Sequence, residues 1–477
     1  MKKVIYLHIG LEKTGTKSIQ KFCYKNGKYL MENGVYYPHG KKEPYMFFTT
    51  HWPLVSAVSE RKKFLPAKKV FEPEFVYGKL IEDIEKNDCK KVLLSAEPFS
   101  SHAVEKKRIQ KIKDQLVNYD VKVILYLRRQ DTLFISSKST NVKGGRHFPG
   151  NYFDFNEAIE RDDLYNFKSI VDNWSYVFGK ENMIINIFDR KELKDGNVIC
   201  DIMDIVGVPV LKEMLDTDDK NTSLSIECLY FLNQINMHEI LDNKQRTKIN
   251  KVLEKYDKGN TIKSLIPGSQ KKAIMHHYQE QNRYVANEYF ERDYLFEENK
   301  ISSIQDEKQY SMNENDIKSI LEYLKNQKDE GNIDEELFGK IDKAFAPFFA
   351  EDSLYVLEDE PLKISSDVKN IEYNDGVLTM ESNGIDPWFI LPKFRKRTAK
   401  RLFFKFEVEY SCASTLDIYY RRKTWRFKEK NKVRIGIGPG RSKNAVVVDS
   451  KFPIGCIRID LGDTEGTFKI HFMEVFK

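Results

Sequence analysis

Short apolar runs separated by polar, helix-patterned stretches fill the first part of the chain. Lys3 to Ile9, Lys91 to Ser95, Val121 to Leu127 and Met183 to Phe188 are rich in Val, Ile and Leu and alternate little. Strands covered on both faces read this way, so the pattern predicts an α/β domain, a parallel sheet with crossover helices. From Ile199 to about Phe296 the pattern is mainly helical, and this first domain is expected over residues 1–298. Residues 299–350 are charged, with two amphipathic stretches, Glu314 to Gln327 and Ile333 to Phe349, and are predicted to be a helical connector. Beyond about Glu351 the period changes to two. Asn374-Asp375-Gly376 is a turn signal, and Leu402 to Tyr410, Leu416 to Tyr420, Lys432 to Ile437 and Phe468 to Phe476 alternate apolar with polar. Residues 351–477 are therefore predicted to form an all-β sandwich or jelly roll.

A chain of 477 residues exceeds one ordinary core, in agreement with this division. Its 41% hydrophobic and 13% aromatic content exclude a disordered protein. No apolar run approaches the roughly 18 residues that a membrane helix needs. Met1 to Leu7 carries two lysines and a short apolar stretch. His8 interrupts it, and Glu12 and Lys13 follow without a small-residue cleavage site, so a first strand is expected rather than a signal peptide. Cys23, Cys89, Cys200, Cys228, Cys412 and Cys456 are scattered, with no metal-ligand spacing. A reduced, cytoplasmic protein without structural zinc is the expectation. The net charge of +6 decides little by itself.

The first candidate site follows the first strand: His8-Ile9-Gly10-Leu11-Glu12-Lys13-Thr14-Gly15-Thr16-Lys17-Ser18. A strand that turns through Gly and Thr into a helix aims backbone N–H groups and the helix dipole at one point, which is a seat for phosphate or sulfate. The nucleotide-triphosphatase pattern GxxxxGK[ST] fails here, because Thr16 holds the lysine position and Lys17 comes one residue late. What stands instead is Lys13-Thr14-Gly15-Thr16, with the lysine ahead of the glycine. This resembles the 5′-phosphosulfate loop of PAPS-dependent sulfotransferases (PAPS is 3′-phosphoadenosine 5′-phosphosulfate), which reads much like Pro-Lys-Thr-Gly-Thr-Thr. Glu12 stands where proline is common, and Lys17 replaces the last threonine. The resemblance implies a P-loop-type parallel sheet with flanking helices, and a PAPS seat formed by Lys13, Thr14, Gly15, Thr16, Lys17 and Ser18.

Telling PAPS from ATP requires a hold on the 3′-phosphate, for which a guanidinium fork at a strand end and a hydroxyl on the following helix are suited. Val123 to Leu127 followed by Arg128-Arg129, with Ser136 eight positions after Arg128, resembles the family's 3′-phosphate element. Arg129 and Ser137 are the neighbouring alternatives. Taken singly, Arg128 reads as a surface ion pair and Ser136 as a helix hydroxyl; two halves of one ligand site in the right order read as a site. Lys91 to Ser95 runs into Ala96-Glu97, and related bacterial sulfotransferases resemble this segment with a strand entering Ser-x-Glu. Glu97 is assigned as general base on the acceptor hydroxyl, with His102 in reserve, and Lys13 would stabilise charge on the leaving oxygen. No metal is required for that chemistry.

Asn221-Thr222-Ser223-Leu224-Ser225 reads as a helix N-cap and resembles an element found late in bacterial sulfotransferase domains. Asn282 to Tyr289 resembles their closing helix. Lys143-Gly144-Gly145-Arg146-His147 reads as a surface loop, with an acceptor lid as the other reading. In the β domain Lys393, Arg395, Lys396, Arg397, Lys400, Arg401, Arg421, Arg422, Lys423, Arg426 and Lys428 interleave with Tyr419, Tyr420, Trp425 and Phe427. Such a surface can hold an anionic glycan, a phospholipid face or single-stranded nucleic acid, and its plain reading is a solvated strand face. The expected reaction is transfer of a sulfuryl group from PAPS to a glycan hydroxyl, on a precursor of capsule, lipopolysaccharide or another cell-surface polysaccharide. The expected partners are a glycan acceptor, lipid-linked or anionic, and a membrane surface met by the basic β domain; nucleic acid is not expected. The alternatives are a P-loop kinase or NTPase, for which Glu97 is the one foothold, and an inactive glycan-binding protein.

Overall fold

The computed structural model describes residues 2–40, 43–59, 72–102, 105–148, 162–215, 224–237, 240–256, 268–297, 314–349, 353–357, 362–383, 386–392, 399–411, 414–422, 426–437, 440–462 and 465–476. The chain forms two compact units. The first comprises Met1–Ser137, Phe155–Asn221 and Gly268–Asp306, and the second Lys138–Asp154, Thr222–Pro267 and Glu307–Lys477. The helices used below are α1 (Thr16–Lys25), α2 (Pro98–His102), α3 (Gln130–Lys143), α4 (Phe167–Phe178), α5 (Val198–Val206), α6 (Ile226–Met237), α7 (Asn243–Leu253), α8 (Gln279–Phe290), α9 (Glu314–Asp329) and α10 (Glu335–Phe345). The first division between units falls inside α3.

The first unit is built on β1 (Val4–Gly10), β2 (Val35–Tyr36), β3 (Lys91–Ser95), β4 (Asp120–Leu127) and β5 (Met183–Ile187), in the order β2-β3-β1-β4-β5. Every pairing is parallel. Ile5, Leu7 and Ile9 of β1 and Val123 to Leu127 of β4 are fully buried, which is why these strands read as continuous apolar runs. The two residues of β2 are too short to leave a pattern. On one face Ile19 and Cys23 of α1 and Val198, Ile202, Met203 and Val206 of α5 cluster with Leu93, Ile124 and Tyr126. α4 packs against β4 and β5. β1 and β4 are neighbours, and the chain runs on from β1 toward the β2 edge of the sheet and from β4 toward the β5 edge; such a switch point opens a crevice for ligands.

The second unit holds two antiparallel sheets. Their strands are β6 (Ser353–Val356), β7 (Lys363–Ile364), β8 (Val368–Asn374), β9 (Val377–Ser382), β10 (Trp388–Ile390), β11 (Arg401–Tyr410), β12 (Ser414–Arg421), β13 (Lys432–Ile437), β14 (Gly440–Asp449), β15 (Cys456–Asp460) and β16 (Gly466–Phe476). One sheet runs β13-β12-β15-β10-β7; the other runs β14-β11-β16-β9-β8, with β6 also on β16. β11 shows why the alternation predicted them: Leu402, Phe404, Phe406, Val408 and Tyr410 are buried, and the residues between them are half-buried. The inner faces share one hydrophobic cluster. Asp375 (φ 51) and Gly376 (φ 78) make the two-residue turn between β8 and β9, a left-handed pair that suits the twist of a hairpin.

Residues 226–253 belong to this unit as well. Phe231 of α6 stacks on Phe345 of α10, with ring centres 4.1 Å apart, and the Gln234 side-chain amide donates to the Ala445 carbonyl of β14 at 3.1 Å. Lys143 to His147 also lies here. Asn236 donates to the carbonyls of Val142 (2.8 Å) and Arg146 (3.1 Å), which holds the segment down. Cys23, Cys89, Cys200, Cys228 and Cys456 are free thiols, and Cys412 lies outside the described residues. Among the described residues no helix is long and apolar enough to cross a membrane, and no group of three or more His, Cys, Asp or Glu side chains converges as metal ligands would.

Candidate functional site

Three strand ends of the first unit meet around residues 10–18. Gly10 ends β1 with φ +110, and a Cβ there would lie 3.3 Å from the Glu97 Cα, so β1 and the segment after β3 approach as closely as glycine permits. The Leu11 amide then donates to the Tyr126 carbonyl of β4 at 3.1 Å, which ties the loop to the neighbouring strand. Thr14 and Thr16 are buried, and both hydroxyls donate back to the Leu11 carbonyl, at 2.6 and 3.2 Å. They serve to brace the loop. Lys13 (φ 64) and Gly15 (φ 77) adopt left-handed conformations, and a Cβ on Gly15 would come 2.7 Å from Val198 Cγ1 of α5. Among the described residues the amides of 12–17 donate to no main-chain carbonyl, whereas those of Ser18 and Ile19 already bond back to Gly15. The loop therefore presents a run of amides at the N-terminus of α1, where an anion is favoured.

Arg128 reaches into this loop. Its Nη1 donates to the Lys13 carbonyl at 2.6 Å and its Nε to the Thr132 hydroxyl at 3.2 Å, and its guanidinium sits 5.7 Å from the centre of the Phe188 ring. Among the described residues the rest of its donor fork has no partner, which suits it to an anion. Burial pulls the guanidinium below its ordinary pKa, partly offset by Asp131. Arg129 behaves otherwise: Nε and Nη2 clasp both oxygens of buried Asp131, each at 2.8 Å. Of the two adjacent arginines, only Arg128 turns to the loop. Ser136 and Ser137 lie half-buried on α3. Beside Arg129 a cavity of about 300 Å³ is lined by Thr132, Phe188, Asp189, Leu295 and Phe296 among others.

Glu97 is half-buried just before α2, and its carbonyl accepts from the Ser100 amide and hydroxyl. Burial first, and the nearby Glu12 second, push its carboxyl above the ordinary range, against the pull of Lys13 and Lys17. Lys13 is its complement: burial lowers the ammonium pKa, while Glu12 and Glu97 hold it up. Lys17 is exposed, and Ser18 lines a separate cavity with Lys21 and Asn197. His102 lies at the end of α2, its Nδ1 2.9 Å from the Ser101 hydroxyl, which itself donates to Glu12 at 3.0 Å. The structure thus brings Lys13, Glu97 and Arg128 together, with His102 nearby.

Sequence reasoning missed the polar network under the site. His8 Nδ1 lies 2.9 Å from the Ser95 hydroxyl, the Ser95 amide donates to His51 Nδ1 at 3.1 Å, and the His51 amide donates back to the Ser95 carbonyl. Gln20 donates to the same serine. No spacing in the chain joins residues 8, 20, 51 and 95. It named Tyr419 and Phe427 but missed Trp388 and Arg458 beside them on the face of the sandwich opposite the core. There Arg458 lies 5.4 Å from the Trp388 ring, 4.8 Å from Tyr419 and 5.8 Å from Phe427, and pairs with Asp460; Arg434 and Lys432 hold Asp417. Trp388 and Arg458 carry no local signal; register alone brings them together. Of the basic stretch, Arg421 lies over Phe427 and Arg422 over Phe452. Lys393, Arg395, Lys396, Arg397, Lys423 and Trp425 lie outside the described residues, as do Asn221, Thr222 and Ser223.

No protein-family profile matches the chain. An uncharacterised protein of Archaeoglobus fulgidus is 24% identical over 238 residues, which are 47% of this chain and 63% of that protein, so the match spans less than two thirds of its relative. Among solved structures, a sulfotransferase from Alicyclobacillus acidocaldarius covers 43% of this chain and 81% of its own, at 14% identity and a TM-score of 0.31. A family 29 carbohydrate-binding module from Piromyces equi covers 26% of this chain and 89% of its own, at 9% identity and a TM-score of 0.20. Likenesses this distant carry no function by themselves.

Proposed function

We propose that the first unit transfers a sulfuryl group from PAPS to a hydroxyl of a glycan, and that the second unit holds that glycan. The observation that carries this reading is the hydrogen bond from Arg128 to the Lys13 carbonyl, which brings the amide-rich loop and the strand-end guanidinium into one site. An anion on the loop amides and Lys13, and a second on the remaining donors of Arg128 with Ser136, match a nucleotide phosphorylated at both ends. Glu97 takes the proton from the acceptor hydroxyl as its oxygen attacks sulfur. The bond from sulfur to the bridging oxygen breaks, its electron pair leaves with 3′-phosphoadenosine 5′-phosphate (PAP), and Lys13 offsets the charge. A carboxyl pushed upward in pKa is suited to a base working near neutrality. On the sandwich, half-buried Trp388 and Phe427 supply aromatic surface for a pyranose, and the Arg458–Asp460 pair supplies polar contacts. A capsule or lipopolysaccharide precursor made in the cytoplasm would be such an acceptor.

Calorimetry with PAP and ADP, for wild type and Arg128→Ala, tests the reading. Wild type is expected to prefer PAP, and the variant to lose that preference. Equal affinity of wild type for the two nucleotides refutes it, and magnesium-dependent tight binding of ADP would point to a nucleotide kinase instead.

A further inference from the structure

The seat of Arg128 depends on a residue 154 positions later in the chain. Gln130, the first residue of α3, is fully buried, and its side chain pairs with that of Asn282 on α8. Gln130 Nε2 donates to Asn282 Oδ1 at 2.7 Å, and Asn282 Nδ2 donates to Gln130 Oε1 at 3.1 Å. Gln130 Nε2 also donates to the Tyr165 carbonyl at 3.3 Å. Two amides joined head to tail in this way satisfy each other and fix both position and rotation, which a single bond or an apolar contact does not.

What they fix is the start of α3. Arg128 is aimed by the Thr132 hydroxyl on the first turn of that helix, and Thr132 is in turn held by the Arg129 carbonyl at 2.8 Å and by Asp131, which accepts from its amide at 2.7 Å. If the first turn rotates, Thr132 leaves Arg128 and the fork swings off the Lys13 carbonyl. The amide pair reaches the loop of residues 11–18 only through Arg128, and the loop keeps its own braces, the Thr14 and Thr16 hydroxyls on the Leu11 carbonyl and the Leu11 amide on Tyr126. We propose that Asn282 and Gln130 are positioning residues that hold Arg128 in register, and so set the preference for a 3′-phosphorylated nucleotide. This rests on the sulfotransferase reading of the site.

The test is calorimetry with PAP, ADP and inorganic pyrophosphate for wild type, Asn282→Leu and the double variant Gln130→Leu/Asn282→Leu, with a thermal melt of each. Asn282→Leu is expected to lower the PAP-to-ADP affinity ratio by about tenfold or more while pyrophosphate binding stays as in wild type. In an Arg128→Ala background the same substitution should leave the ratio unmoved, the signature of coupled residues. The double variant replaces both amides with apolar groups, so it should regain most of the lost melting temperature; without directional bonds it should not regain the ratio. A ratio that survives Asn282→Leu, or that returns with the melting temperature in the double variant, reduces the pair to packing and overturns the proposal. A wild type with no preference for PAP overturns the functional reading and this inference together, whereas the other outcomes sink this one alone.

Discussion

Acidification should loosen the first unit from beneath its site, through two histidines the chemistry does not use. His8 is fully buried, edge-on to Tyr126 at 5.7 Å, and its Nε2 has no hydrogen-bond partner among the described residues. Burial lowers its pKa to about 3. His51, equally buried, accepts the Ser95 amide at Nδ1 and therefore donates from Nε2 to the Pro38 carbonyl at 3.0 Å; burial lowers its pKa to about 4. In the unfolded chain both imidazoles take protons near pH 6.5. Below that pH the unfolded state holds more protons than the folded one, so stability falls as pH falls, until the folded pKa values are reached. Each histidine contributes about 1.36 kcal/mol per pH unit. At pH 5 that is about 2 kcal/mol for each and about 4 kcal/mol for the pair, a large part of a typical stability of roughly 5–15 kcal/mol. The assay is urea unfolding between pH 7 and pH 5 for wild type, His8→Gln and His51→Gln. Each variant should flatten the pH slope by about one histidine's share, whatever it does to stability at pH 7. Variants that keep the full wild-type slope would refute the argument that these rings stay neutral.

Other outcomes follow from single contacts. Glu12→Gln removes a carboxylate that holds up the Lys13 ammonium; PAP should bind more tightly at neutral pH, and its alkaline loss of affinity should move to lower pH, with an unmoved profile counting against the placement of Glu12. Gly15→Ala meets both a left-handed φ of 77 and Val198 Cγ1 at 2.7 Å. A melt should show a loss of about 2 kcal/mol or more, with PAP binding lost as well, and Val198→Ala should relieve the clash but not the backbone strain. Asp201 accepts from the Tyr126 hydroxyl, the Asn186 side chain and the Lys194 amide, at 2.7, 2.7 and 2.8 Å. Asp201→Ala leaves buried donors without partners and should destabilise the first unit by about 3 kcal/mol in chemical unfolding, while a loss below about 1 kcal/mol would show that water replaces the carboxylate.

The order of elements was legible in the chain, because burial on both faces forces unbroken apolar runs and a one-sided sheet forces alternation. Val121 to Leu127 and Leu402 to Tyr410 are the two cases, and each matches its strand to within a residue. The loop of residues 10–18 could be picked out as well, since a strand that turns directly onto a helix needs glycine and small hydroxyls in one short stretch. Tertiary structure decided what depends on register between distant segments. Only the fold separates Arg128, bonded to the loop, from its neighbour Arg129, clasped to Asp131. Only the fold assigns residues 226–253 to the sandwich, joins Gln130 to Asn282, and gathers Trp388, Tyr419 and Arg458 on one face. Local sequence encodes which face of an element is buried, but the neighbour across that face is chosen by packing of the whole chain, and no short window contains it.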